Sequence, residues 1–146
     1  MKRFVTAGVA AISFATSANA FVVRECGPEF TPLTITEPWE EYSRTYAEGA
    51  IRIFEMFIDP NVASGAAIGI LHPLPDEPGG PYRRCSAIYF SDEFRYFGQA
   101  FIAEAEARYD PALGLVISVP VQVLSETGRR IVSFAVNQAT GTVTLL

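Results

Sequence analysis

Beyond residue 50 the chain runs in short apolar stretches separated by turn residues. The clearest stretch is Leu115, Ile117, Val119, Val121 and Val123, which alternate strictly with the positions between them. A period of two places all five side chains on one face of a strand, Leu115–Leu124. Pro120 falls inside it and suggests an edge or a bulge, because proline has no N–H to give to a ladder. Arg130–Val136 repeats the pattern with Val132, Phe134 and Val136 on one face, and Thr142–Leu146 reads as a last short strand. Ser125–Gly128 and Asn137–Gly141 are the turns between them. Upstream, Ala50–Ile58, Ala66–Leu71 and Cys85–Phe90 are rich in β-branched and aromatic residues and read as three more strands. Asp59-Pro60-Asn61 breaks the first and Pro73 stops the second.

The segment 92–109 carries two periods at once. As a helix it has Ser91 as N-cap, Asp92 and Glu93 in the first turn, and Phe94, Phe97, Phe101 and Ala105 near helical spacing. As a strand it alternates Phe101, Ala103, Ala105, Ala107 and Tyr109 with Ile102, Glu104, Glu106 and Arg108. The strand reading is preferred, because Asp110-Pro111-Ala112-Leu113-Gly114 is a turn sequence leading into an alternating partner. The expected fold is therefore mainly β, an antiparallel meander forming a small sandwich or a partly closed barrel. A helix around 92–108 would make it α+β. Residues 21–49, interrupted by Pro28, Pro32 and Pro38, read as an extended lead-in with a helical turn near Trp39–Tyr46, and 50–146 as the β domain.

The first twenty residues follow a different logic. Lys2 and Arg3 precede an uncharged apolar stretch from Phe4 to about Ala15, and Ala18-Asn19-Ala20 offers small residues where a signal peptidase reads them. This is the form of a cleavable secretory signal, 1–20, and predicts a periplasmic or extracellular protein. Cleavage leaves 146 − 20 = 126 residues with no lysine, 9 Arg and 16 Asp plus Glu, a formal charge of −7. Such a balance does not attract nucleic acid or an anionic membrane. The mature chain contains no apolar run long enough to span a bilayer. Short strands and frequent prolines make an outer-membrane barrel the weaker reading. Cys26 and Cys85 are the only cysteines. In an exported chain they are expected to pair, closing a loop that stabilises the fold by about 4 kcal/mol.

One resemblance rests on the turns. Tyr109-Asp110-Pro111-Ala112-x-Gly114-Leu115, the alternating strand after it, and Asn137-Gln138-Ala139-Thr140-Gly141 resemble a pattern in small exported proteobacterial proteins of unknown function. The likeness covers the C-terminal third and implies no activity.

The candidate chemistry is sparse. His72 is the only histidine, so a Cys/His zinc site lacks ligands and a catalytic triad would have to use that residue. It reads instead as a strand-end side chain with one hydrogen bond. No metal or cofactor is expected. Glu104 and Glu106, on a strand, would share a face about 6.5–7 Å apart, the separation an inverting hydrolase needs. A solvated Glu-x-Glu-x-Arg row explains them as well. The loop Pro75–Arg84 carries Tyr82, Arg83 and Arg84 directly before Cys85, an aromatic and two planar donors on an anchored base. The preferred reading is a non-enzymatic binding or structural domain that meets an unknown protein or small ligand of the cell envelope through that loop or a sheet edge. An exported hydrolase using the paired carboxylates, or an inhibitor whose loop plugs an exported enzyme, are the alternatives.

Overall fold

The structure is a computed structural model and describes residues 21–58, 61, 65–76, 80–92, 96–124 and 126–146. The expected signal peptide lies outside the described residues. Ten strands occur among them: β1 Val22–Glu25, β2 Ser43–Tyr46, β3 Ile51–Phe57, β4 Ala66–Pro73, β5 Arg83–Tyr89, β6 Gln99–Ala100, β7 Glu106–Asp110, β8 Gly114–Gln122, β9 Arg129–Asn137 and β10 Thr142–Leu145. A single α-helical turn, α1, spans Trp39–Tyr42, and a 3-10 turn spans Ile102–Glu104. The strands form two antiparallel five-stranded sheets, ordered β1-β5-β4-β3-β2 and β10-β9-β8-β6, with β7 also on β8. One of the two sheets curls into a half-barrel. The fold is thus mainly β, as the alternation predicts.

The two sheets bury their facing sides against each other. Ile51, Ile53, Ile68, Ile70 and Ile88 from sheet 1 meet Ile117, Val119, Val121, Val132, Phe134 and Val136 from sheet 2 in one apolar cluster. The period-two rows of β8 and β9 are therefore the inner face of sheet 2. Register holds them there, since a slip by one residue would turn each row to solvent. Val119 faces Val132 and Ile117 faces Phe134 across that pair.

Sheet 1 is apolar on both sides. Phe54 and Met56, out of phase with Ile51 and Ile53, point to its outer face and are buried there. Part of the cover is the segment 26–42, which folds back over the sheet. Phe30 meets Phe54 and Tyr89 edge-on, and Trp39 lies against Phe54 under the Arg52 guanidinium. The Phe54 ring also occupies the space where Gly69 would carry a Cβ. Residues 21–49 are more than a lead-in, because they supply β1 and β2, both edges of sheet 1. Immediately before β1, Phe21 is buried between Phe90 and Phe97, with the Arg130 guanidinium over its ring.

Residues 99–110 follow neither pure reading of the sequence. They run as two short strands, β6 and β7, separated by the 3-10 turn, and both pair with β8. Pro120 explains the break. Its carbonyl accepts the Phe101 N–H at 2.9 Å, so its missing N–H falls on the same side, in the gap between β6 and β7. The proline predicted to mark an edge or a bulge marks the place where the neighbouring edge strand is interrupted.

Candidate functional site

The expected disulfide is formed: Cys26 and Cys85 are bonded across 5.4 Å between their Cα atoms. Cys26 follows the edge strand β1 and Cys85 lies within β5, so the bond ties the start of the folded-back segment to the sheet beneath it. Its N–H is also held by the Cys85 carbonyl at 3.1 Å. Beside the bond, between segment 26–35 and the outer face of sheet 1, is a cleft of about 340 Å³. Phe30, Pro32, Ile35, Phe54, Met56 and Leu71 line it with the disulfide itself. Met56 and Phe54 form its most buried wall. A sequence signal for it existed in β3, whose residues are apolar in both phases, a mark of a strand covered on two faces.

Tyr82, Arg83 and Arg84 sit at the entry to β5, all exposed, with Tyr82 68% exposed. Residues 77–79 of the preceding loop lie outside the described residues. Strand alternation separates the two arginines. Arg83 shares the outer face with Cys85, which lines the apolar cleft, while its Nη1 donates to the loop carbonyls of Gly80 at 2.6 Å and Tyr82 at 3.1 Å. Arg84 shares the opposite face with Ser86 and reaches the Gly141 carbonyl at 3.5 Å. The three residues are close in the chain, but the arginines do not form a two-guanidinium clamp.

His72 and Ser86 are diagonal neighbours on the inner face of β4 and β5, with His72 Nε2 3.0 Å from Ser86 Oγ. This has the form of a nucleophile–base pair, yet His72 is 1% and Ser86 8% exposed, and neither lines any of the four clefts formed by the described residues. Burial holds the imidazole below its ordinary value, with a smaller upward pull from the Pro73 carbonyl and a downward one from Arg84. The Pro73 carbonyl acts through proximity, since Nδ1 makes no hydrogen bond. The pair has the one hydrogen bond expected of His72 and a structural setting.

Glu55 was not singled out by sequence reasoning. It follows Ile53 in phase, so its carboxyl enters the space between the sheets, where it is 2% exposed. Its Oε2 accepts the Ala100 N–H at 2.6 Å, joining sheet 1 to β6. Burial raises its pKa, while the Ala100 N–H and the nearby Thr36 hydroxyl pull it down by less. Thr36 Oγ1 itself is buried and not aligned for a hydrogen bond. Glu104 and Glu106 do not share a strand: Glu104 belongs to the 3-10 turn and pairs with Arg129 at 2.7 Å, while Glu106 opens β7. They border separate shallow depressions, so the face-sharing geometry expected of paired carboxylates is not formed. Among the described residues no three His, Cys, Asp or Glu side chains are grouped to hold a metal ion. No described helix is long and apolar enough to cross a membrane.

Comparison of the chain with protein-family models, with curated proteins and with solved structures gives no match.

Proposed function

We propose that the chain is an exported, non-enzymatic binding domain, cut after Ala20, whose binding face is the outer side of sheet 1 around the staple. The observation that carries this reading is the apolar cleft beside the disulfide, with Arg83 farther along the same face of β5. Arg83 lies two residues from Cys85 on the same face, about 6.5–7 Å along the strand. A cleft lined by Phe30, Met56 and Leu71 takes an apolar group, and Arg83 takes the anionic group attached to it. The partner is then a small ligand or a protein segment of the cell envelope that joins the two. The disulfide suits an oxidising compartment and holds the cleft open before binding, which lowers the ordering cost of the complex.

Met56 is the only methionine after Met1, so a single ¹³C-methyl signal reports on the cleft of the processed protein. Octanoate and octanol are suitable probes. Saturable shifts of that methyl with octanoate, weakened about tenfold (1.4 kcal/mol) by Arg83→Ala and unchanged by Arg84→Ala, are expected. No shift with either probe overturns the reading. Intact mass of the unreduced protein from exporting cells tests the compartment: Phe21–Leu146 less two hydrogens is expected, and an uncut chain refutes it.

A further inference from the structure

Two turns in the C-terminal half are built alike. Asp110-Pro111-Ala112-Leu113-Gly114 and Asn137-Gln138-Ala139-Thr140-Gly141 each begin with Asp or Asn, carry alanine third and end on glycine. Asp110 Oδ1 accepts the N–H groups of Ala112 and Leu113 at 2.9 and 3.1 Å. Asn137 Oδ1 accepts those of Ala139 and Thr140 at 3.0 and 3.2 Å. Gly114 and Gly141 close the loops at φ +95° and +62°, where other residues are strained.

Strand register brings the two turns to the same end of sheet 2. Tyr109 faces Leu115, and Leu115 faces Val136, so the three form one row across β7, β8 and β9. Between the turns is a pocket of about 380 Å³, with Tyr109, Pro111 and Leu115 on one side and Asn137, Gln138 and Ala139 on the other. A Cβ on Gly114 would sit 2.5 Å from the Val136 carbonyl oxygen, so bare backbone is required where the two turns meet.

We propose that this pocket binds a neutral sugar ring. Tyr109 is 75% exposed although its row continues into the core, so its ring is available to stack on the C–H face of a pyranose. The opposite wall carries two carboxamides, which both donate and accept. Asn137 Oδ1 is committed to its turn, leaving its N–H₂ as donor, and the Gln138 side chain makes no hydrogen bond to the described residues. No lining side chain is charged, a setting suited to hydroxyl groups and not to a phosphate or carboxylate. The nearest carboxylate, Asp110, is turned to its own loop N–H groups. The volume falls in the range of roughly 300–1,000 Å³ typical of small-molecule sites. This site is separate from the Arg83 cleft and stands or falls without it.

The test is an amide NMR titration of the oxidised protein with tetra-N-acetylchitotetraose and with maltotetraose. Saturable shifts at Tyr109, Leu115 and the Gln138 side-chain amide are expected with at least one of them, at a Kd on the order of 1 mM. Tyr109→Ala and Gln138→Ala should each weaken binding about tenfold, and Tyr109→Phe should retain it. Spectra unchanged away from the pocket establish that each variant is folded. Three results overturn the proposal: no saturable shift with either sugar, binding unaffected by Tyr109→Ala, or saturable shifts at the same residues with blocked tetra-alanine and none with sugar, which would assign the pocket to peptide.

Discussion

Among the described residues Glu55 and His72 are the ionisable side chains buried between the sheets, and their pKa directions set opposite pH dependences. Burial raises Glu55 above 4.5, so the folded state holds that proton more tightly than the unfolded chain. Its stabilising share is full below about pH 4.5 and is lost as pH rises through the raised value. Burial lowers His72 below 6.5, so the unfolded chain takes that proton first. Its share is full above about pH 6.5 and is lost as pH falls through the lowered value. Urea midpoints measured across pH should therefore flatten at their alkaline side in Glu55→Gln and at their acid side in His72→Gln. Glu55→Ala should cost about 1–3 kcal/mol below about pH 4.5, because it leaves the Ala100 N–H unpaired between the sheets, and less as pH rises through the raised value. Gly69→Ala meets the Phe54 ring and should lose about 1–3 kcal/mol through overpacking, read from the same midpoints.

At the scale of elements, the strands that the sequence displays are those with one clean inward row. β8 and β9 have it, and their alternation identifies both face and partner. The two Asx-to-Gly turns were equally legible, because each is closed by its own side chain and needs nothing distant. β1 and β2 were not: as short edge strands with half-polar patterns they contribute little to the core, and only pairing defines them. Segment 99–105 was illegible for another reason. Its path is dictated by the gap at Pro120 and by Glu55 reaching across to Ala100, both remote in the chain. The candidate site divides the same way. The Cys26–Cys85 pairing followed from the count of cysteines, whereas the cleft needed a fold in which Phe30 returns to Phe54. The turns also yield a prediction. Backbone N–H bonds from Ala112 and Leu113 hold Asp110 below its ordinary 3.8. The β7–β8 turn should keep its amide protection above that pH and lose it as pH falls through the lowered value, while Asn137 keeps the β9–β10 turn protected. Residue-resolved hydrogen exchange at Leu113 and Thr140 checks this contrast.

For the whole molecule, the staple closes a loop of 59 residues in sequence separation. It links the end of β1 to β5, its immediate neighbour in sheet 1, so reduction frees the segment that covers the outer face. The chain-entropy contribution is about 4 kcal/mol. Denaturant midpoints with and without reductant should differ by that amount, and Cys26→Ala plus Cys85→Ala should match the reduced protein. A reduced protein of unchanged stability would mean that Phe30, Trp39 and their contacts hold the cover without the bond. The inter-sheet core does not depend on the staple, and Phe134→Ala there should cost about 3–5 kcal/mol whether or not the bond is present.

The burial of Phe21 has a consequence for processing. The ring packs against Phe90 and Phe97 beneath Arg130, one residue after the proposed cleavage point. Under the proposed cut after Ala20, the new terminus would itself be a piece of the interior. A cut displaced by a single residue toward β1 would remove an aromatic plug, and later trimming by an aminopeptidase would have to pull that ring out before it could act. If the chain is cut there as proposed, the packing of Phe21 would tolerate a ragged end on its outer side and resist one on the inside.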